Sequence, residues 1–202
     1  VLLTTLTLGL SCFTASMAKT LDQSFFDRAY YEVGADLRIW EGSESEDADS
    51  WTALVLGGAA EAQYYPTIEE HLQIEGVRSA TRMAVYEAQM PLSGRQIRGR
   101  VVGIDRLTFQ QTAFFRRDFA PESLGQVLNR LAVDQNAILV PPTVLAEYGL
   151  AVGDQINLQV SLGPHKTLMP VIIAGVVELF PTIYPKDGPF FVANLDYLFD
   201  QV

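Results

Sequence analysis

From Val1 to Ala18 the chain carries no charged side chain, and from Leu10 to Val33 it contains neither glycine nor proline. A stretch this long without a breaker predicts a single long helix, because only those two residues reliably interrupt one. At 1.5 Å per residue, Val1–Ala18 alone would rise about 27 Å, close to the roughly 30 Å of a bilayer core. Thr4, Thr5, Thr7, Ser11, Thr14 and Ser16 fit such a helix, since a helical hydroxyl can bond back to a carbonyl one turn earlier.

Three readings of Val1–Ala18 follow. It is the end of a transmembrane helix, or the apolar region of a signal peptide ending in Ser16-Met17-Ala18, or a buried core helix. No basic segment precedes it, which counts against the signal peptide, and the chain opens on Val1 rather than Met, as expected of a fragment or processed product. Cys12 is placed one residue off for a lipid-attachment motif and reads as a small apolar residue. In Lys19–Tyr31 the pairs Leu21/Phe25 and Phe26/Tyr30 keep the helical i, i+4 spacing, so the helix continues about three turns into water. Phe26, Tyr30 and Tyr31 then meet the domain or the membrane interface, while Phe25 and Phe26 also suit a core. The domain division is 1–31, the end of a transmembrane helix continuing as a stalk, and 32–202, an extracytoplasmic domain.

Gly34 ends the helix, and Ala35–Trp40 alternates like a strand. Glu41–Ser50 holds five carboxylates without the spacing of a calcium loop and reads as a solvated loop. Gly57-Gly58 lacks the lysine or third glycine of a phosphate loop. A short helix spans Thr67–Ile74, and Ser79–Met90 with Ile97–Ile104 form a hairpin around Pro91–Gly94. Helices follow at Thr108–Phe114 and Ser123–Val133, the second with Leu124, Val127, Leu128 and Leu131 on one face. Then come strand Ala137–Val140, a helix from Pro141-Pro142 to Tyr148 closed by Gly149, and strands Gln155–Ser161 and Leu168–Val177. Pro170 places the start of the last of these at a sheet edge. Strand Phe190–Ala193 and helix Leu195–Phe199, capped by Asn194, end the pattern. The fold class is α+β: mixed sheets with short helices in two small lobes, entered by a long N-terminal helix.

Net charge is −10, so no basic face is available to displace counterions, and nucleic acid is not expected as a partner. Span 78–117 is nonetheless +6, through Arg78, Arg82, Arg95, Arg98, Arg100, Arg106, Arg116 and Arg117 against Glu87 and Asp105. It reads as a strip facing an acidic partner or lipid headgroups, or as ion pairing with the chain's surplus acids. One cysteine excludes an internal disulfide and a cysteine-based zinc cluster. His71 and His165 lie far apart, His71 in a polar helix and His165 in a turn; Glu69/Glu70 and Asp47/Asp49 are adjacent pairs in exposed segments. With no G-x-S-x-G and no nucleophile–base set, no catalytic, cofactor-binding or metal residue is named, and no enzyme is expected.

The order of several short motifs carries a resemblance. Tyr30-Tyr31-x-x-Gly34-Ala35-Asp36-Leu37-Arg38 follows the apolar helix. Glu75-Gly76-Val77, Ala80-Thr81-Arg82, Gly103-Ile104-Asp105 before Thr108-Phe109, and Phe115-Arg116-Arg117-Asp118-Phe119 succeed it. Gly149-Leu150-x-Val152-Gly153-Asp154, Phe180-Pro181-Thr182 and Asn194-Leu195-Asp196 complete the series. Over nearly its whole length the chain resembles the extracytoplasmic, MacB-like periplasmic core domain of FtsX-like ABC transporter permeases. The resemblance implies a bacterial cell-membrane protein with this domain on the extracytoplasmic side. It would sit between the first two helices of a permease, and the ATPase would be a separate cytoplasmic subunit or domain. Its partners would be that ATPase, the membrane, and an extracytoplasmic substrate or protein, and its role would be to pass helix motion to export. The acidic stretch 41–50 has no counterpart in the pattern. The alternative is a secreted small-molecule-binding protein or enzyme with residues 1–18 as its signal peptide.

Overall fold

A computed structural model of the chain describes residues 1–40, 67–92, 94–162 and 165–201. The acidic stretch 41–50 and the Gly57-Gly58 segment lie outside the described residues, as do Asp47 and Asp49. One helix, α1 (Leu2–Val33), runs unbroken and ends at Gly34, whose left-handed φ of 88° lets its N–H reach Tyr30 O. The hydroxyls behave as their spacing predicts: Thr4, Thr5, Thr7, Ser11 and Thr14 each bond to a carbonyl three or four residues back, at 2.7–3.0 Å. Among the described residues nothing covers the first half of α1, where Leu6, Leu10 and Phe13 are all more than 60% exposed. A buried core helix is therefore not what these residues form. Phe25 and Phe26 are exposed as well, against the core reading of those two rings. No helix among the described residues is long and apolar enough to cross a membrane. From Leu2 to the first charge at Lys19, Gly9 and six hydroxyl residues dilute the hydrophobic side chains.

The remaining elements are α2 (Ile68–Leu72), β1 (Met83–Leu92), β2 (Arg95–Ile104), α3 (Arg106–Thr112), α4 (Leu124–Leu131), β3 (Ala137–Val140), α5 (Pro142–Tyr148), β4 (Gln155–Leu162), β5 (His165–Val176), a 3₁₀ turn at Pro185–Asp187, β6 (Phe190–Asn194) and α6 (Leu195–Phe199). The fold is thus α+β. The six strands form one closed mixed barrel in the order β1-β2-β6-β3-β5-β4, with β4 returning to β1. Among the described residues there is this one sheet rather than two lobes.

The chain builds the barrel twice over. A hairpin, a strand and a helix (β1, β2, β3, α5) are followed by the same series (β4, β5, β6, α6). Each hairpin pairs its second strand in parallel with the third strand of the other half, β2 with β6 and β5 with β3. The two third strands pair antiparallel with each other, as do β1 and β4. Exchanging the halves leaves the pairing pattern unchanged.

Side-chain alternation sorts the core into an inside and an outside. Ala88, Met90, Val101, Ile138, Leu158, Val160, Val171, Ile173 and Phe191 fill the barrel. Val102, Ile104, Leu139, Phe190 and Val192 point outward and are roofed by Phe109 of α3 and by Val127, Leu128 and Leu131 of α4. β3 and the first four residues of β6 are therefore buried throughout. Capping explains where the roof begins. Asp105 accepts from Leu107 N at 3.0 Å, and Ser123 forms a capping box with Gln126.

Ala35–Trp40 is not a strand. Leu37 and Ile39 are exposed, the Arg38 guanidinium lies over the Trp40 ring at 4.1 Å, and among the described residues the closed barrel offers the alternating segment no free edge. Pro170 lies inside β5, but β3 joins that strand only from Ile172, so among the described residues the strand at Pro170 has a neighbour on its β4 side alone. The local reason for its placement is the one the sequence implies.

Candidate functional site: the joint between helix and barrel

The last turn of α1 is where the otherwise exposed helix becomes fixed. Tyr30 stacks on Phe114 with ring centroids 5.3 Å apart. Tyr31 meets Phe119 edge-on at 5.4 Å and Tyr184 at 5.3 Å, and Phe119 also contacts Phe114 and Phe115. Phe115 leads inward to Phe180, which stacks on Phe109 of the roof. The rings make a continuous apolar path from the helix end to the outer core.

Backbone bonds hold the same place. Phe114 N donates to Gly34 O at 2.7 Å, and Thr182 N donates to Tyr31 O at 2.7 Å. The Tyr31 hydroxyl donates to the Ile183 carbonyl. Burial pushes the pKa of this phenol up to about 12. The Tyr30 hydroxyl donates to Asp36 at 3.1 Å, and the nearby carboxylate raises its pKa. One turn earlier Arg116 reaches Asp27 at 2.5 Å while its Nε and second amino group hold Asp118. Its guanidinium is held above its ordinary pKa chiefly by Asp118 and then by Asp27.

Two backbone features mark the joint as tightly constrained. Gly34 has no room for a side chain, since an added Cβ would stand 2.8 Å from Thr182 Cγ2. Thr182 itself has φ 70°, a left-handed conformation rare for a β-branched residue, and among the described residues it is the one non-glycine of positive φ. Its hydroxyl is buried with no hydrogen-bond partner among the described residues. Strain of this kind persists only where surrounding contacts over-determine it. Here the Tyr31 carbonyl and the tight approach of Gly34 do so.

The joint draws on both halves of the barrel. Phe114, Phe115 and Phe119 lie in the connection from β2 to β3, and Thr182, Ile183 and Tyr184 in the connection from β5 to β6. Three of the motif segments converge here: Tyr30–Arg38, Phe115–Phe119 and Phe180–Thr182. The sequence places Phe26, Tyr30 and Tyr31 against the domain or the membrane interface; Tyr30 and Tyr31 do meet the domain, Phe26 is exposed, and the partners of the two tyrosines are not legible in the sequence. Nor are the Arg116–Asp27 pair and the strain at Thr182. The aromatic density of Phe114, Phe115 and Phe119 was the available signal.

The other candidate groups are scattered. Arg100 pairs with Asp187 at 2.8 Å and Arg116 with Asp27 and Asp118, so part of the arginine-rich span is taken up by the chain's own acids. His71 is half-buried in α2 rather than exposed, Glu70 belongs to that helix's capping box with Thr67, and His165 opens β5 opposite Leu162. A cleft of about 180 Å³ beside α3 and α6 is rimmed by Asp105, Asp134, Asp196 and Asp200. Among the described residues no three His, Cys, Asp or Glu side chains are grouped to hold a metal ion. No protein-family model matches the chain, and no curated protein matches it significantly.

Proposed function

We propose that this chain is the extracytoplasmic domain of an ABC transporter permease of the FtsX-like kind, with the barrel as one lobe of a domain type that often has two. It does no chemistry itself. In this reading the apolar half of α1 is the outer end of a membrane helix. A cytoplasmic ATPase moves that helix through the rest of the permease, and the barrel passes the movement to a substrate or partner outside the membrane.

The observation that carries the proposal is the joint. A helix transmits displacement only if it is continuous and seated rigidly at its load. α1 has no interruption between Leu10 and Val33, and its last turn is fixed by ring packing, two 2.7 Å backbone bonds and an ion pair. The ordered motifs support the family reading, and three of them fall at this joint. Inserting Gly-Gly-Gly after Thr20 of the complete transporter should uncouple ATP hydrolysis from transport while leaving the barrel folded. Transport at the wild-type rate with normal expression would refute the coupling role. Topology is tested separately with a membrane-impermeant thiol reagent on cells or spheroplasts. Arg95→Cys should react, and native Cys12, exposed on α1 in this structure, should be shielded by lipid. Protection of Arg95→Cys until lysis would place the domain on the wrong side.

A further inference from the structure

Between α1 and the barrel, just past the uncharged stretch, lies an open groove of about 430 Å³. It is lined by Lys19, Thr20, Gln23, Ser24, Asp27 and Arg116. Lys19, Gln23 and Asp27 follow one another at i, i+4 and i+8, so they share one helix face over about 12 Å. Lys19 marks the end of the groove that borders the uncharged residues, and Arg116 closes the other end by reaching Asp27.

The lining is rich in unspent donors. The Lys19 ammonium and the Ser24 hydroxyl have no partner among the described residues. Arg116 uses three of its five N–H groups, two on Asp118 and one on Asp27. Gln23 uses one of its two, on Asp27 Oδ1 at 2.9 Å. The Thr20 hydroxyl is spent on Ser16 O. Asp27 is the one acid in the groove, and both its oxygens already accept, from Gln23 and from Arg116. Arg116 is shared between Asp27 and the neighbouring Asp118, so Lys19 is the cation of the lining with no carboxylate partner among the described residues. Convergent charged and neutral donors with their acceptor already satisfied suit a phosphate oxyanion.

Position selects which phosphate. If the uncharged half of α1 lies in hydrocarbon, Lys19 is at the depth where lipid phosphates begin, and the groove opens beside it. We propose that this groove binds the phosphate of an anionic phospholipid headgroup and seats the barrel on the outer face of the bilayer. The inference rests on the reading of α1 as a membrane helix. It adds a ligand and a site to that reading.

The test uses the whole chain and vesicles of phosphatidylcholine alone or mixed with phosphatidylglycerol, at low salt. A protein of net charge −10 is repelled by an anionic surface unless a local site captures the headgroup. Tighter partitioning into the mixed vesicles is therefore the expected sign of the site. Lys19→Gln should weaken that preference roughly fivefold, the usual effect of one basic residue at such a surface. Lys19→Arg should retain it. Arg95→Gln, at the turn of the β1–β2 hairpin, should leave it unchanged. Equal partitioning into the two compositions, or a loss as large in Arg95→Gln as in Lys19→Gln, would overturn the site. Displacement by millimolar inorganic phosphate alone would reassign the groove to a free anion and also overturn the lipid proposal. Insertion is read separately, from brominated-lipid quenching of a Phe13→Trp variant in phosphatidylcholine vesicles. Insertion without anionic preference sinks the groove but spares the membrane reading, whereas absence of insertion sinks both.

Discussion

Replacing Gly34 by alanine should loosen the joint without unfolding the barrel, and the size of the effect can be worked out. At φ 88° an alanine loses roughly 1–2 kcal/mol, the cost of placing a Cβ in the left-handed region. Its Cβ would also stand 2.8 Å from Thr182 Cγ2. Thr182 cannot simply retreat, because its own φ of 70° is held by the bond from its N–H to Tyr31 O. Relieving such an overpacked contact costs about 1 kcal/mol more. The total, roughly 2–3 kcal/mol, corresponds to local opening about 30- to 150-fold more frequent. Hydrogen exchange reads this directly. The amides of Phe114 and Thr182, which bond across the joint, should exchange faster by that factor, while the Val192 amide in β6 should not change. Because part of the cost is a collision, Thr182→Gly should recover that part in the double variant and leave the φ term behind. Unchanged joint amides, or equal acceleration at Val192, would show that Gly34 does not hold the two bodies together.

Tyr31→Phe removes the hydroxyl that donates to Ile183 O and should cost the joint about 1 kcal/mol by the same exchange measurement. With its pKa raised from 10 to about 12, Tyr31 favours the fold fully below pH 10, and that contribution fades as pH climbs towards 12. Allowing for its partial exposure, the loss is about 1 kcal/mol, and thermal melts of Tyr31→Phe should lack it. Asn194→Ala should destabilise the barrel by roughly 1–3 kcal/mol, because Nδ2 donates to the carbonyls of Leu131 at 2.8 Å and Gln135 at 3.0 Å. The denaturation midpoint should fall at unchanged slope, and a normal midpoint would show that solvent replaces those bonds. Asp27→Asn should cost under ~1 kcal/mol, since the pair with Arg116 is partly exposed, and the difference should vanish at high salt.

The elements were far more legible than their assembly. α1 could be read because it is long, free of breakers from Leu10 onward and closed by a glycine that takes the expected left-handed conformation. β3 at Ala137–Val140 and α5 after Pro141 follow from strong local signals. β5 begins three residues before Leu168 because the hairpin ladder continues to its turn, where polar side chains hide the strand. Barrel closure was hidden for a different reason. The parallel partners of β2 and β3 lie in the other half of the chain, and alternation specifies which face a residue takes, not which strand lies beside it. The duplicated order of hairpin, strand and helix was missed because the first half inserts two helices before its third strand and the second half an irregular loop. At the joint, Tyr31 and Ile183 are separated by 152 positions, a distance no local pattern bridges.

The exchange of strands between halves also bears on how the chain can be divided. Beyond its own hairpin neither half pairs its strands internally: the first supplies β3 to the second and receives β6 in return. A cut in the exposed turn between Gly149 and Asp154 would sever the only covalent link between the halves, yet all four pairings between them would remain. The two pieces would stay clasped, each finishing the other's sheet. Made separately, each would display the apolar sheet edges its counterpart covers, so neither piece would be at rest until they met.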